Sequence, residues 1–153
     1  MSEDESEFEV RLTQIEGYSF KIDFGLSGVA PLIGDEDPPL GKNAGPDPSR
    51  LLGAVVAQCT LSSLLFCMQK SRAELRGLKA TAIVRFGRNE EKRLRIVGID
   101  LMIDADASES ERSKLERCLP IFQEFCTVSQ SVKAGIPITI ELMSEKKLNV
   151  VKS

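Results

Sequence analysis

From Leu51 to Met68 this chain is apolar on almost every side of a helix. Leu51, Leu52, Val55, Val56, Cys59, Leu64, Leu65, Phe66 and Met68 leave it no clear polar face, whereas a helix on the surface of a domain keeps one. Such a helix has to be covered all round. The run is at the short limit for crossing a bilayer and is interrupted by Gln58, Thr60, Ser62 and Ser63, so it reads as a buried central helix rather than a membrane span. Its start is sharp. Asp47 suits the N-cap and Pro48 the first helical position, where a missing N–H costs nothing. Polarity returns through Gln69, Lys70, Arg72, Glu74 and Arg76, and Gly77 is the expected stop.

The rest of the chain supplies the cover. Phe8, Val10 and Leu12 alternate over residues 7–13, as do Tyr18, Phe20 and Ile22, with Glu16-Gly17 between them; this predicts a hairpin with one buried face. A third short strand is expected within 24–34. Residues 35–48 form a loop, holding four of the seven prolines and two glycines. After the helix, alternation resumes over 78–86, the chain turns at 87–92, and a second strand changes phase at Gly98 as at a β-bulge. A further helix is expected from Ser108, with Glu111 completing a capping box, running to Cys126 with a kink at Pro120. A last strand covers 136–143. The order predicts an α+β domain with antiparallel sheet packed on the long helix. Residues 1–6 read as a flexible acidic tail, 7–144 as the domain and 145–153 as a C-terminal tail. One chain's strands shield only one face of the helix, so a two-fold dimer burying more than about 2,000 Å² is expected.

At 153 residues the chain can bury a core without staples. A net charge of −3 and a pI of about 5.2 leave no field favouring nucleic acid or anionic membrane. Arg85, Arg88, Lys92, Arg93 and Arg95 are interrupted by Glu90 and Glu91 and read as a solvated hairpin tip. The absence of histidine removes Ser-His-Asp and Cys-His catalysis and the commonest metal ligand. Asp104-Ala-Asp106 lacks the glycine and glutamate of a calcium loop, and no phosphate-binding glycine motif is present. No cofactor is implied. Four cysteines are too few for a secreted disulfide scaffold, and the N-terminus lacks a signal sequence; the thiols are expected reduced, in a cytoplasm.

Thiol chemistry remains. Cys59 and Cys67 lie eight residues apart, as do Cys118 and Cys126. Eight residues of helix rise about 12 Å, which excludes a zinc ion bridged within either pair. Cys59 and Cys126 are a candidate redox pair, although sequence alone does not bring them together. A cysteine among Val55, Val56 and Leu64 has its pKa raised unless a cation sits nearby. Arg11, Lys21 and Arg50 are the candidates for that cation.

The run Asp35-Glu36, Gly45-Pro-Asp-Pro48, Leu51-Leu52 and Cys59, together with Cys126-Thr-Val-Ser-Gln-Ser-Val132, resembles the OsmC/Ohr family of osmotically inducible and organic-hydroperoxide-resistance proteins. The resemblance covers most of the chain. It implies an intertwined homodimer with two interface sites and a thiol-dependent peroxidase acting on organic hydroperoxides. By this similarity Cys59 attacks the peroxide, Cys126 resolves the sulfenic acid, and an external dithiol reduces the disulfide. Cys67 and Cys118 match no family position and are expected in the core. The family carries a glutamate nine or ten residues before the first cysteine, paired with an arginine from the N-terminal strands. Arg50 and Ser49 stand there, and residues 17–21 present no arginine. Arg50 or Arg11 is then expected to supply the charge, in trans from a partner subunit. The alternative is a non-catalytic dimer of the same fold that binds a small hydrophobic ligand in its interface cleft.

Overall fold

A computed structural model describes residues 6–142 and the backbone of 151–152. Residues 1–5, Met143 and most of the expected C-terminal tail lie outside the described residues. The chain forms two compact units. One comprises residues up to Ala54 with Ala82–Asp100, and the other Val55–Thr81 with Leu101 onward.

The first unit opens with an antiparallel sheet in the order β1 (Arg11–Glu16), β2 (Ser19–Asp23), β3 (Leu32–Gly34). Gly17 takes a positive φ of 51° in the β1–β2 turn, a conformation that costs glycine little. The hairpin is as expected, but β1 begins at Arg11. Its apolar face is uncovered in the single chain: Phe8 and Leu12 are exposed, and only Ile22 of the alternating set is buried. Asp35 organises the following loop, because its buried carboxylate accepts the N–H groups of Glu36, Lys42 and Ala44 at 2.9, 3.0 and 3.0 Å. The Ala44 and Lys42 amides hold it below the usual carboxylate range.

Helix α1 spans Pro48–Lys70. Asp47 caps it as expected, Oδ1 accepting from the amides of Ser49 and Arg50 at 2.8 and 3.2 Å. Beyond it, β4 (Gly77–Arg88) and β5 (Leu94–Asp106) form a two-stranded sheet. At Gly98 the Arg85 guanidinium crosses over the backbone to bind Asp100, Nε to Oδ2 at 2.5 Å, and a Cβ there would push the guanidinium aside.

In the second unit α1 stops seven residues before the expected Gly77. Arg72 adopts φ 53°, its amide donates to Gln69 O at 2.9 Å, and the Ala73 amide reaches back to Met68 O at 2.9 Å. This is a Schellman cap, with Ala73 and Met68 burying the accompanying apolar contact. The core here is Leu64, Met68, Ala73, Cys118 and Phe122, flanked by Cys67, Leu75 and Leu115.

The expected helix 108–126 is three pieces. Helix α2 covers Arg112–Cys118, a 3₁₀ turn Phe122–Phe125, and α3 Thr127–Ala134. Glu111, not Ser108, is the N-cap of α2, and it makes no side-chain cap, so the capping box does not form. Pro120 sits where the helix ends rather than where it kinks. Cys67 and Cys118 are joined in a disulfide with Cα atoms 5.9 Å apart, which corrects the expectation of reduced thiols throughout. Both pack in the core as expected. Of the last strand, Thr139–Ile140 (β6) is what forms among the described residues, paired with Val151–Lys152 (β7).

Candidate functional site

The two remaining thiols, Cys59 and Cys126, come together within the second unit. Cys59 is half-buried on α1. Cys126 is buried, 1% exposed, and it begins α3 rather than ending a helix. Its φ of −81° and ψ of 98° are those of an N-cap, and its sulfur accepts the Ser129 amide at 3.3 Å, the role an oxygen of Ser or Asp plays in most helices. The Cys59 sulfur accepts the next donor, the Val128 amide, at 3.5 Å. Two of the four N–H groups that a helix start leaves without intrahelical partners thus end on the two sulfurs. Gly135, at φ 79°, closes α3 at its other end.

Two hydroxyls complete the cluster. Ser129 Oγ lies 2.9 Å from Cys126 Sγ and 2.9 Å from Thr60 Oγ1; Thr60 Oγ1 lies 3.8 Å from Cys126 Sγ and donates to Val56 O at 2.8 Å. These residues did not stand out in the sequence. Thr60 reads as a polar break in an apolar helix. Ser129 falls three residues after Cys126, the spacing of an N-cap and its N3 partner, a signal visible only if Cys126 begins a helix.

The environment divides the pair. Burial pushes the Cys59 thiol up, and its bond to Cys126 pushes it further. Burial also raises Cys126, but the bonds from Cys59, the Ser129 hydroxyl and the Ser129 amide outweigh it and bring Cys126 down to about 7. The pair therefore sheds its first proton near neutrality, with the charge on the sulfur that holds more donors.

The candidate cations lie in the first unit, Lys21 on β2, and the two arginines are held by carboxylates. Arg50 binds both oxygens of Asp37 at 3.1 Å and also Asp47; Arg11 pairs with Glu9. The groups that act on Cys59 are instead Cys126 and the amides of Val128 and Ser129. Among the described residues no cluster fit for a metal is present. A cavity of about 740 Å³ lies elsewhere in the second unit, lined by Gln69, Arg72, Glu74, Arg76 and Glu111 among others, and neither free thiol borders it.

The family model described as OsmC-like protein matches residues 41–141. Among solved structures, an OsmC-like protein of unknown function from Vibrio cholerae aligns at a TM-score of 0.72 and 18% identity, covering 84% of this chain and 95% of that one. An organic hydroperoxide resistance protein OsmC from Legionella pneumophila aligns at 0.61 and 16%, covering 84% and 92%. The organic hydroperoxide resistance protein OhrB of Bacillus subtilis aligns at 0.60 and 19%, covering 84% and 93%. At these identities the likeness establishes the fold. No curated protein matches the chain significantly.

Proposed function

We propose that this chain, which belongs to the OsmC-like protein family, is a thiol-dependent peroxidase that reduces organic hydroperoxides through Cys59 and Cys126. The observation that carries the reading is the meeting of two free thiols at the start of α3, where backbone amides and hydroxyls support a thiolate. Cys59 is the more accessible sulfur and is assigned the attack; buried Cys126 is assigned resolution. The organic hydroperoxide resistance proteins among the structural neighbours support the substrate class.

The chemistry closes within the pair. Cys126 thiolate takes the Cys59 proton, and Cys59 thiolate attacks the outer peroxide oxygen, breaking the O–O bond. Cysteine sulfenic acid forms, and the alkoxide leaves with the proton from Cys126 as an alcohol. Cys126 thiolate then displaces hydroxide from the sulfenic acid, giving the disulfide, and solvent protonates the hydroxide to water. An external dithiol returns the two electrons by exchange.

The working form is taken to be a cytoplasmic homodimer. Helix α1 is long and apolar enough to cross a membrane by composition, and only 39% of its apolar stretch is buried within one chain. Val55, Leu65 and Phe66 stay exposed on it, and Leu12, Ile83 and Val97 stay exposed on the strands. A second copy is the occupant that this much uncovered apolar surface calls for. Arg50 or Arg11 of a second copy can add charge near Cys59.

Burial of Cys59 favours one alternative, a non-catalytic dimer whose apolar interface cleft holds a small hydrophobic ligand. Cumene hydroperoxide consumption with a dithiol reductant decides between them. Turnover that vanishes in Cys59→Ser, with sulfenic acid trapped by dimedone in Cys126→Ser, is the expected result. No turnover in the wild type, with the first thiol titrating at or above about 8.5, replaces it with the binding reading.

A further inference from the structure

Counting protons among Thr60, Ser129 and Cys126 fixes the direction of their hydrogen bonds. Thr60 has one hydroxyl proton, and the 2.8 Å bond to Val56 O takes it. In the 2.9 Å contact with Ser129, Thr60 Oγ1 is then the acceptor, and it receives the only hydroxyl proton that Ser129 has. Ser129 Oγ has nothing left to give Cys126, so at 2.9 Å the Cys126 thiol donates to it. With Cys126 protonated the chain runs one way: Cys126 to Ser129 to Thr60 to the Val56 carbonyl.

A thiolate cannot sit in that chain as it stands, because a Ser129 lone pair would face the negative sulfur. Ser129 has to turn its proton onto Cys126, and Thr60 then either loses the bond it received or swings its own proton from Val56 to Ser129. We propose that Ser129 and Thr60 form a reversible hydroxyl relay on Cys126, Ser129 as the donor that supports the thiolate and Thr60 as the acceptor that holds that donor back while the thiol is protonated. Both are positioning residues, since they act through Cys126. The other groups acting on this sulfur are the Cys59 thiol from α1, the titratable member, the uncharged Ser129 amide from α3, and the Thr60 oxygen itself at 3.8 Å, its one proton committed to Val56 O. The relay rests on the thiol-pair reading above and adds the means by which the pair reaches its charged state without a neighbouring cation.

The two residues have opposite effects, which mere structural support would not produce. Thiolate absorbance at 240 nm against pH, on the full chain with Cys59 and Cys126 reduced, reads the first midpoint directly. Ser129→Ala removes the donor, and the midpoint rises by about one to two pH units, the size of a hydrogen bond to a charged group. Thr60→Val frees the Ser129 proton for the sulfur, and the midpoint falls by about half a unit, the size of one neutral hydrogen bond. Ser129→Thr and Thr60→Ser keep the hydroxyls and titrate as wild type, which also controls for folding. A rise in Thr60→Val, or no shift in Ser129→Ala, overturns the relay. Midpoints that shift in opposite directions in a protein that consumes no cumene hydroperoxide leave the relay standing and remove the peroxidase reading. Turnover with unmoved midpoints does the reverse.

Discussion

Two pairs of cysteines join α1 to the same later stretch of chain, Cys67 to Cys118 and Cys59 to Cys126, and one pair is closed while the other is open. The spacing is eight residues on both sides, so the two strips run in opposite directions and meet twice. What differs is what surrounds the sulfurs. Cys67 and Cys118 sit among Leu64, Met68, Leu115 and Phe122, where a neutral disulfide is at ease and a thiolate is not. Cys59 and Cys126 receive the amides of Val128 and Ser129, and the Ser129 hydroxyl lies against Cys126, surroundings that favour charge. Geometry brings cysteines together; the local supply of donors separates a cross-link from a pair that can carry charge.

The contrast is open to attack at several points. The largest expected effect is on turnover: Cys59→Ser reduces cumene hydroperoxide consumption to the uncatalysed background, whereas Cys118→Ala leaves a folded enzyme active at low temperature. Stability separates the pairs in the opposite sense. Opening the cross-link, which spans 51 residues of sequence, costs about 4 kcal/mol on the loop-entropy scale, and Cys118→Ala adds the loss of packing. Cys126→Ala closes no loop and costs about 1–2 kcal/mol. Urea midpoints of the two variants test this ordering, and equal losses would erase the distinction.

Acidity sharpens it further. Cys126 lies lowered to about 7, so the rate at limiting peroxide should fall about tenfold per pH unit below that value and level off above it; the protonated pair is the inactive form. A flat profile from pH 5 to 8 contradicts the assignment. The smallest effect belongs to Arg50→Ala. Its ion pairs with Asp37 and Asp47 are solvent-exposed on the arginine side and screened by water, so the urea midpoint should barely move. A steep fall in turnover would instead place Arg50 over the partner subunit's thiol. Light scattering at micromolar concentration should give a dimer.

What could be read ahead followed how local the cause was. The start of α1 was legible because Asp47 and Pro48 act on the turn that contains them. Its end was not. Gly77 is the conspicuous stop, yet Arg72 accepts a left-handed φ because the Schellman bonds and the burial of Ala73 on Met68 offset the strain. Helix α3 was hidden by the apolar run before it, which continues through Pro120 as if the helix did. That error concealed Cys126 as a cap, and with it Ser129. The disulfide needed two strips to meet, and spacing alone told only what could not be bridged within each strip. The resemblance carried the fold, and the thiols it singled out are the two left free.

The sulfurs of Cys59 and Cys126 also serve as the acceptors that start α3. A disulfide between them would replace the Cys126 thiolate by a neutral, weaker acceptor for the Ser129 amide, and the first turn of α3 would loosen with each oxidation. The backbone then keeps a record of redox state that needs no thiol reagent to read: faster amide exchange at 129 in the oxidised protein, restored on reduction.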